Sequence, residues 1–586
     1  MAGAPNPNPN PPQPQQANIA PADHPPRTLV LGATGFLGRW LLLELLDRGE
    51  PVAAAVRTGA GSPRDRELRG WLRVHGADDR TLTTVAADLT LPGLGLTPED
   101  DARLAGVRDV HNLAALYRFG LDRAEAHAAN VDGALTALHW AAGRPHLRRL
   151  VHLSGYRVGR GGAPRHPLPP AEADALYARL GAYEASKQLG DAAVRVTAAE
   201  LGVPLTTVNP SSVIGHSATG EAGQYLGLAE LVRQLWSGRL PLLPGTARTL
   251  LPVVAVDHLA RFLAAVPEFD DGPAHAHTVL DPATPPLPAL IALIAEHLGV
   301  PAPRGLVPVG LVRRLPTALT GADPETLTFL VEDTYDTASA DRLAEAAGLH
   351  HPPVADLLRR WATRLVADGF GAAPASAAPT AVGPASAHTG AAGGFADVAG
   401  SRTYLHGDRR TPHYVLLPGP AADTGAWADP TAHHDSRTLT ADLPGLGRSS
   451  PTKAPEADWL RELLAPVRSR PVLVTHQATA AVALDYAAAH PDRVTELVIV
   501  STDAADATDT ADGTGSPDPA PAPAFHRPGA TRRATRRLRE ARRPSRRREL
   551  SLLIDAGTVP VRVIPPERLR DLLRTVPALV GGESTV

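Results

Sequence analysis

Short apolar runs alternate with amphipathic stretches from residue 27 to about residue 370. The runs that predict buried strands are TLVLGA, VAAAV, LTTVAADL, VRDVHNLAA, LRRLVHLSG and PLTTVNP. Apolar residues recur at helical spacing in LGRWLLLELLDRG, VDGALTALHWAA and YEASKQLGDAAVRVTAAELG. Strands that alternate with helices predict an α/β fold with a parallel, doubly wound sheet.

The same pattern divides the chain into folded and unfolded parts. Residues 1–26 contain nine prolines and few apolar residues, which predicts a disordered tail. Residues 27–370 form the first folded unit. Residues 371–400 are rich in Ala, Pro and Gly, which is typical of a flexible linker. A second α/β pattern spans residues 401–586.

The second unit contains an insert near residues 503–548. Its first part, DAADATDTADGTGSPDPAPAPA, has the composition of a disordered segment. The part that follows holds 11 arginines between Arg527 and Arg548. Because this block has little apolar content, we interpret it as a solvated, weakly helical stretch; an acidic partner or a nucleic acid is the alternative.

Composition narrows the function classes. The 586-residue chain has a net charge of −3 and an isoelectric point near 6.8, so we expect no nucleic-acid partner. It has no cysteine, which excludes disulfides and thiol chemistry. No apolar run approaches the ~18 residues of a membrane span, and no signal peptide is apparent, so we expect a cytoplasmic protein. Paired histidines at 350–351 and 433–434 lack metal-ligand spacing, so no metal site is predicted.

A glycine-rich turn stands between the first strand and the first helix. TLVLGATGFLGRWLL carries glycines at three-residue intervals. Glycines allow a tight turn and a close approach to a pyrophosphate, which the N–H groups of the helix N-terminus then bind. We therefore predict a dinucleotide-binding turn. Its candidate residues are Gly32, Thr34, Gly35, Phe36, Leu37 and Gly38.

The ends of the next strands complete the predicted cofactor site. Arg57 follows the second strand, where an NAD site has an acidic residue, and arginine can pair with a 2′-phosphate. We therefore predict NADP (NADPH) as the cofactor. NAD, with Arg57 as an ordinary solvated residue, is the alternative. Further candidates that contact the cofactor are Asp88 and Leu89 after the third strand, and Asn112, Ala114 and Ala115 at the fourth.

The candidate catalytic pair is Tyr183 and Lys187. The chain has 58 Lys and Arg residues, of which only Lys187 and Lys453 are lysines. Tyr183 and Lys187 are four apart on a predicted helix and share one face. An adjacent ammonium favours the phenolate, and lowering a tyrosine pKa by ~3 units requires ~4 kcal/mol. Ser154, at the end of the fifth strand, could hold the reacting oxygen while Tyr183 moves the proton.

Residues 27–370 resemble the extended short-chain dehydrogenase/reductases. The motifs that match are GATGFLG, DL at Asp88, NLAA, NVDG at Asn130, HLSG, YEASK and NPSSVIG. The resemblance implies a Rossmann fold with a smaller substrate lobe and a Ser154/Tyr183/Lys187 catalytic group. It also implies that Pro210, Ser211 and Val213 lie in a segment that closes over the nicotinamide, and that Asp257 in VVAVDHLARFL begins a late helix.

Within that family, VNPSSVIGHSATGE and RWATRLVADGF are most similar to the thioester and fatty acyl-CoA reductases and their hydroxysteroid-dehydrogenase-like relatives. The chain departs from the family at Asn112, which stands where a histidine is usual. The resemblance implies an NADP-dependent oxidoreductase acting on a small molecule or an acyl thioester. A sugar-nucleotide epimerase or dehydratase and a non-catalytic NADP-binding scaffold are the alternatives. An oligomeric state is left open.

Residues 401–586 resemble an α/β-hydrolase that has lost its catalytic residues. HYVLLPGPAADTGAW, with Pro418 where a histidine is common, is similar to that family's oxyanion loop, and ADLPGLGRSSP is similar to its DLPGHGxS turn. The G-x-S-x-G elbow reads Thr-His-Gln-Ala-Thr, with Gln477 at the nucleophile position. Pro565 and Pro566 stand where the acid is expected, and no histidine follows His526. We therefore predict a degenerate domain that serves docking or stability and does not hydrolyse esters.

Overall fold

The computed structural model describes residues 25–116, 120–158, 164–312, 314, 327, 329–371, 393–418, 438–500 and 559–564. The predicted tail lies outside these residues except for its last two positions. Most of the predicted linker, the whole insert near 503–548, and Pro565 and Pro566 also lie outside them. Among the described helices, none combines the length and the apolar character that a bilayer crossing requires.

A seven-stranded sheet forms the centre of the first unit. Its strands are β1 (Thr28–Leu31), β2 (Val52–Val56), β3 (Leu82–Ala86), β4 (Asp109–Asn112), β5 (Arg149–Leu153), β6 (Leu205–Pro210) and β10 (Ala274–Val279). They are arranged in the order β10-β6-β5-β4-β1-β2-β3, and every pair is parallel. The predicted parallel sheet is therefore confirmed. Strand order reverses at β1, between β2 and β4, which is where ligands bind in open α/β sheets.

Helices cover both faces of this sheet. They are α1 (Phe36–Asp47), α2 (Pro63–Val74), α3 (Pro98–Arg103), α4 (Arg123–His127), α5 (Gly133–Ala142), α6 (Pro170–Leu180), α7 (Ala182–Leu201), α9 (Val256–Phe269) and α12 (Ala338–Ala346). One core packs α1 and α9 against the sheet, and a second core packs α5 and α7 against the other face. Leu41 and Leu45 of α1 are fully buried at a spacing of four, as the sequence pattern predicts.

A smaller lobe follows the sheet along the chain. Its elements are α8 (Leu228–Trp236), α10 (Leu287–Leu298), α11 (Val309–Val312) and α13 (Val354–Ala367), with the short pairs β7 (Ser212–Ile214) and β9 (Val253–Ala255), and β8 (Leu243–Pro244) and β11 (Leu306–Val307). Apolar residues of α8, α10 and α13 form a separate core. Asp257 lies in the first turn of α9, as expected, and accepts hydrogen bonds from the backbone N–H (2.8 Å) and hydroxyl (2.7 Å) of Ser217.

The second unit is an α/β domain with a mixed sheet. Its strands are β12 (Gly394–Val398), β13 (Ser401–Gly407), β14 (Tyr414–Leu417), β15 (Thr438–Ala441), β16 (Val472–His476), β17 (Glu496–Val500) and β18 (Val561–Ile564), in the order β12-β13-β15-β14-β16-β17-β18. The helices are α14 (Glu456–Leu464) and α15 (Ala480–Ala489). Strand β12 lies inside the stretch predicted as linker. A turn at Ala399 and Gly400 lets Phe395 and Val398 of β12 pair with β13.

Arg402 of β13 connects this domain to the smaller lobe. Its guanidinium donates to the hydroxyl of Thr363 on α13 at 2.6 Å and lies 4.2 Å from the ring centre of Phe395. Phe395 in turn packs against the core of the smaller lobe. Burial lowers the pKa of Arg402 to about 10. The edge hairpin β12–β13 of the second domain therefore contacts α13 and the core of the smaller lobe.

Candidate active site

The turn from β1 to α1 is closed by glycines. Gly32 has a φ of +79°, and a Cβ there would lie 2.8 Å from the backbone nitrogen of Ala114. A Cβ on Gly38 would lie 2.2 Å from the carbonyl oxygen of Gly32. A larger residue at either position would push the helix and the neighbouring loop away from the strand. The glycines therefore hold the start of α1 at the carboxyl ends of β1 and β4.

The N-terminus of α1 suits a phosphate group. Gly35 is the N-cap and has no side chain to satisfy the first N–H groups, and the first turn contains no acidic residue. Leu37 and Gly38 are buried, so they can present only their backbone, whereas Thr34 and Phe36 are half-buried. Unpaired N–H groups at a helix start attract an anion. This cradle of small residues and backbone donors fits the pyrophosphate of a dinucleotide.

Arg57 and Asp88 follow adjacent strands at the same edge. Arg57 is exposed directly after β2. Hydrogen bonds from the backbone and hydroxyl of Thr90, and the charge of Arg57, hold the pKa of Asp88 below its usual value. Leu89 packs into the core under this edge. The structure thus brings a free cationic side chain and a carboxylate to the side of the site expected to bind the adenosine half.

Asn112 has a different environment from the one predicted for it. Its side chain is only 2% exposed, its oxygen accepts from the N–H of Ala114 at 3.2 Å, and its nitrogen lies 3.3 Å from Nδ1 of His152. The buried Asn112 side chain therefore connects the loop after β4 to the neighbouring strand β5. Ala114 is half-buried and Ala115 is exposed on that loop, where they can face a ligand.

Helix α7 brings Lys187 to the end of β5. Gly181, at a φ of +83°, separates α6 from α7, so that Tyr183 lies in the first turn of α7. Lys187 follows one turn later and donates from Nζ to the carbonyl oxygen of Leu153 at 3.0 Å. Ser154, the residue after Leu153, is 6% exposed, and its hydroxyl interacts with the carboxylate of Asp191. Lys187 and Ser154 therefore lie at the same strand end.

Burial and neighbouring charges have opposite effects on the pKa of Lys187. Burial lowers the pKa of Lys187 to about 8, while the carboxylates of Asp191 and Glu184 act in the opposite direction. Burial raises the pKa of Asp191, one turn further along α7. Burial and the charge of Lys187 lower the pKa of His152 to about 3, so that imidazole is neutral. Lys187 therefore keeps most of its charge near neutral pH, whereas His152 is neutral.

Asn130 and Gly190 are site residues whose roles composition and spacing did not reveal. The Asn130 side chain donates to the hydroxyl of Ser186 at 2.9 Å, and that hydroxyl donates to the carbonyl oxygen of Tyr183 at 2.9 Å. A Cβ on Gly190 would lie 2.1 Å from the carbonyl oxygen of Asn130. Gly190 therefore permits α7 to approach the irregular turn at Ala128–Asp132, which fixes the first turn of α7.

The segment after β6 lies beside the same strand end. The carbonyl oxygen of Pro210 accepts from the N–H of Tyr156 at 3.2 Å. Ser211 is buried, and its hydroxyl has no hydrogen-bond partner in the described part of the chain. Val213 is half-buried in β7. The ends of β1, β4, β5 and β6 therefore assemble the predicted residues at one edge of the sheet.

The smaller lobe contacts the nucleotide-binding side through residues 216–223. Glu221 accepts from Nε1 of Trp71 at 3.1 Å and lies 2.9 Å from Nε2 of His75. A Cβ on Gly223 would lie 2.5 Å from the ring of Phe36. This contact joins α2 and the glycine-rich turn to the lobe expected to choose the substrate.

Comparison with known proteins supports this assignment of the first unit. Residues 30–263 match the NAD-binding family model described as male sterility protein. The chain is 28% identical over 205 residues to dihydroflavonol 4-reductase from Callistephus chinensis, covering 33% of this chain and 53% of that protein. Residues 30–263 of the first unit are therefore similar to this NAD-binding family.

Two further relatives belong to larger assemblies. The chain is 32% identical over 213 residues to isonitrile lipopeptide synthase from Streptomyces coeruleorubidus, covering 34% of this chain and 14% of that protein. The solved terminal R domain of the myxalamid PKS-NRPS pathway is similar at 22% identity and a TM-score of 0.46, covering 60% of this chain and 93% of that one. The matched segment thus spans 53% of the dihydroflavonol 4-reductase and 14% of the isonitrile lipopeptide synthase.

Proposed function

We propose that the chain is an NADPH-dependent reductase that acts on a carbonyl or acyl-thioester group. The observation that carries the proposal is the hydrogen bond between Lys187 and the carbonyl oxygen of Leu153, which holds the lysine beside Ser154. The names of curated relatives, such as dihydroflavonol 4-reductase, favour the same reaction type. Relatives that include large synthases favour a carrier-bound thioester as one substrate class.

The residues divide into two groups with separate tasks. The glycine-rich turn would hold the pyrophosphate, and Arg57 would pair with the 2′-phosphate of NADPH. Bound NADPH would supply the hydride. Ser154 would donate a hydrogen bond to the substrate oxygen, and Tyr183 would donate a proton to it. Lys187 would stabilise the phenolate that remains on Tyr183, because its ammonium is buried and already oriented.

Reduction of a thioester would follow from the same contacts. Once the carbonyl carbon has received the hydride, the oxygen would carry a negative charge that Ser154 and Tyr183 would stabilise. The carbon–sulfur bond then breaks, the thiolate leaves and takes a proton, and an aldehyde remains. Reduction of a ketone stops at the alcohol after proton transfer from Tyr183.

Consumption of NADPH by the full chain tests this proposal. The substrates are acyl thioesters of a pantetheine thiol, simple ketones and aldehydes, and nucleoside-diphosphate sugars. Loss of NADPH absorbance with formation of an aldehyde or alcohol supports the proposal. Conversion of a nucleotide sugar without net loss of NADPH would establish an epimerase instead, and cofactor binding without turnover of any substrate would establish a binding protein.

A further inference from the structure

Three potential metal ligands meet at the outer edge of the first sheet, far along the strands from the candidate active site. Asp270 ends α9, and His275 and His277 lie two apart on the edge strand β10. A carboxylate oxygen of Asp270, a ring nitrogen of His275 and a ring nitrogen of His277 all lie within 4.8 Å of one another. We propose that these three side chains form a binding site for a divalent transition metal such as Zn²⁺.

The ligand set suits Zn²⁺ in an open site. Two imidazoles and one carboxylate are common zinc ligands, and three protein ligands leave the fourth position to water. Nε2 of His277 lies 3.3 Å from one carboxylate oxygen of Asp270, and Nδ1 of His275 contacts the other. Asp270 and His277 are buried, whereas the side chain of His275 is 46% exposed. The metal would therefore enter from the side of His275.

The local backbone is built to bring these side chains together. A Cβ on Gly272 would lie 2.0 Å from the ring of His275, so only glycine lets that ring fold back over Asp270. Arg149 donates to the carbonyl oxygens of Asp270 and Gly272, the latter at 2.6 Å, and fixes the turn between them. These contacts fix the turn that brings Asp270 and His275 together.

A neighbouring hydroxyl orients one of the ligands. The hydroxyl of Thr206 donates to Asp270 at 2.5 Å, which is the kind of outer hydrogen bond that holds a metal-binding carboxylate. Nδ1 of His277 is buried and has no hydrogen-bond partner within the described residues.

The site would link secondary structure and take no part in the proposed reduction. His275 pairs with Thr206 at the start of β6, whereas Pro210 at the end of β6 lies beside the candidate active site. The two sites thus lie at opposite ends of the same strand. A bound metal would fix the end of α9 to the edge strand β10, and its loss would leave NADPH binding unchanged.

Equilibrium dialysis of the full chain against ZnCl₂, after removal of metal with EDTA, tests the site. We expect the wild type to retain one more equivalent of zinc than His275→Ala and His277→Ala, and its Tm to rise with zinc. His139→Ala, which removes an exposed histidine of α5, is the matched control and should behave as the wild type. Because His275 is half-exposed, its replacement leaves the core intact even if His277→Ala fails to fold.

Two results would overturn the proposal. One is a wild-type chain that retains no zinc and shows no zinc-dependent change in Tm. The other is equal retention by the wild type and by His275→Ala, which would mean that zinc binds elsewhere and that Asp270 and the histidines form only a hydrogen-bonded cluster. Neither result bears on the reductase, because NADPH turnover is measured separately.

Discussion

Lys187 donates a hydrogen bond from the middle of α7 to the carbonyl oxygen of Leu153, at a distance of 3.0 Å. Leu153 ends β5 and directly precedes Ser154. A single contact therefore fixes the ammonium relative to both the serine and the first turn of α7. It also explains why this position remains a lysine in a chain that uses arginine almost everywhere, since a guanidinium is larger and donates in a rigid planar fork.

Lys187→Arg should cut turnover by ~10²-fold or more, because the larger group cannot keep both the charge and the contact with Leu153. Steady-state NADPH oxidation measures the effect. Lys453→Arg is the matched control, since the only other lysine is exposed in the second domain. Equal turnover of Lys187→Arg and the wild type would show that any cation at this position is sufficient.

Turnover should fall as the pH rises through about 8, where the ammonium of Lys187 loses its proton. The negative charge of Asp191 favours that ammonium, so Asp191→Asn should move the fall to lower pH. A pH profile of kcat for both proteins, with Asp485→Asn of the second domain as the control, measures the shift. A profile that moves to higher pH, or does not move, would contradict this role for Asp191.

Arg57→Ala should weaken binding of NADPH by ~10-fold or more and leave binding of NADH nearly unchanged, because only NADPH carries the 2′-phosphate that the guanidinium can pair with. Titration of cofactor fluorescence measures both affinities, and NADH is the internal control. If the variant binds NADPH as tightly as the wild type does, Arg57 does not select the cofactor.

The contact between His75 and Glu221 should make stability depend on pH. Its hydrogen bonds raise the pKa of His75, although burial opposes this, so its contribution is full below the ordinary His pKa and is lost as the pH rises through the folded value. Glu221 has a lowered pKa because the same bond outweighs burial, so its contribution is lost as the pH falls through the folded value.

Glu221→Gln should therefore lower the Tm more at pH 6 than at pH 8.5. Thermal unfolding, followed by circular dichroism at both pH values, measures the difference. The control is Glu67→Gln, which removes the ion pair between Glu67 of α2 and Arg39 of α1. The same loss of Tm at both pH values would mean that His75 does not change its charge in the folded protein between them.

The second domain should show no serine hydrolase activity. Gln477 lies in the one-turn helix between β16 and α15, the position at which the resemblance predicts a nucleophile, and an amide cannot be activated as a hydroxyl can. Exposure of the full chain to a fluorophosphonate probe should label no serine of residues 401–586, as mass spectrometry would show. Labelling there would reveal a nucleophile that the elbow does not contain.

The sequence predicts the sheet and the strand-end residues well because both follow from local pattern. The spacing of apolar residues predicts which segments are strands and which are helices. Parallel strands bring their carboxyl ends to one edge of the sheet, and Ser154 and Lys187 lie at that edge. Asn112 illustrates the limit. A polar residue at a strand end could face a ligand or turn into the sheet, and only the position of His152 on the neighbouring strand decides this.

The cluster of Asp270, His275 and His277 could not be predicted from the sequence for a similar reason. Residues 274–277 read as an ordinary stretch of strand, and Asp270 belongs to the end of a helix. Asp270 and His275 are five residues apart with Gly272 between them, and this spacing does not reveal that the His275 ring folds back over the Asp270 carboxylate. Long-range packing against Arg149 and Thr206 produces that arrangement, and sequence spacing does not encode it.

Turnover by Tyr183→Phe tests the central claim most directly. The assay follows NADPH oxidation with the best substrate of the panel, and a fluorescence titration measures NADPH affinity in parallel. The proposed role of Tyr183 as proton donor predicts a fall in kcat of ~10²-fold or more with nearly unchanged NADPH affinity. A variant that keeps near-normal kcat would contradict the assignment of Tyr183 and, with it, the proposed mechanism.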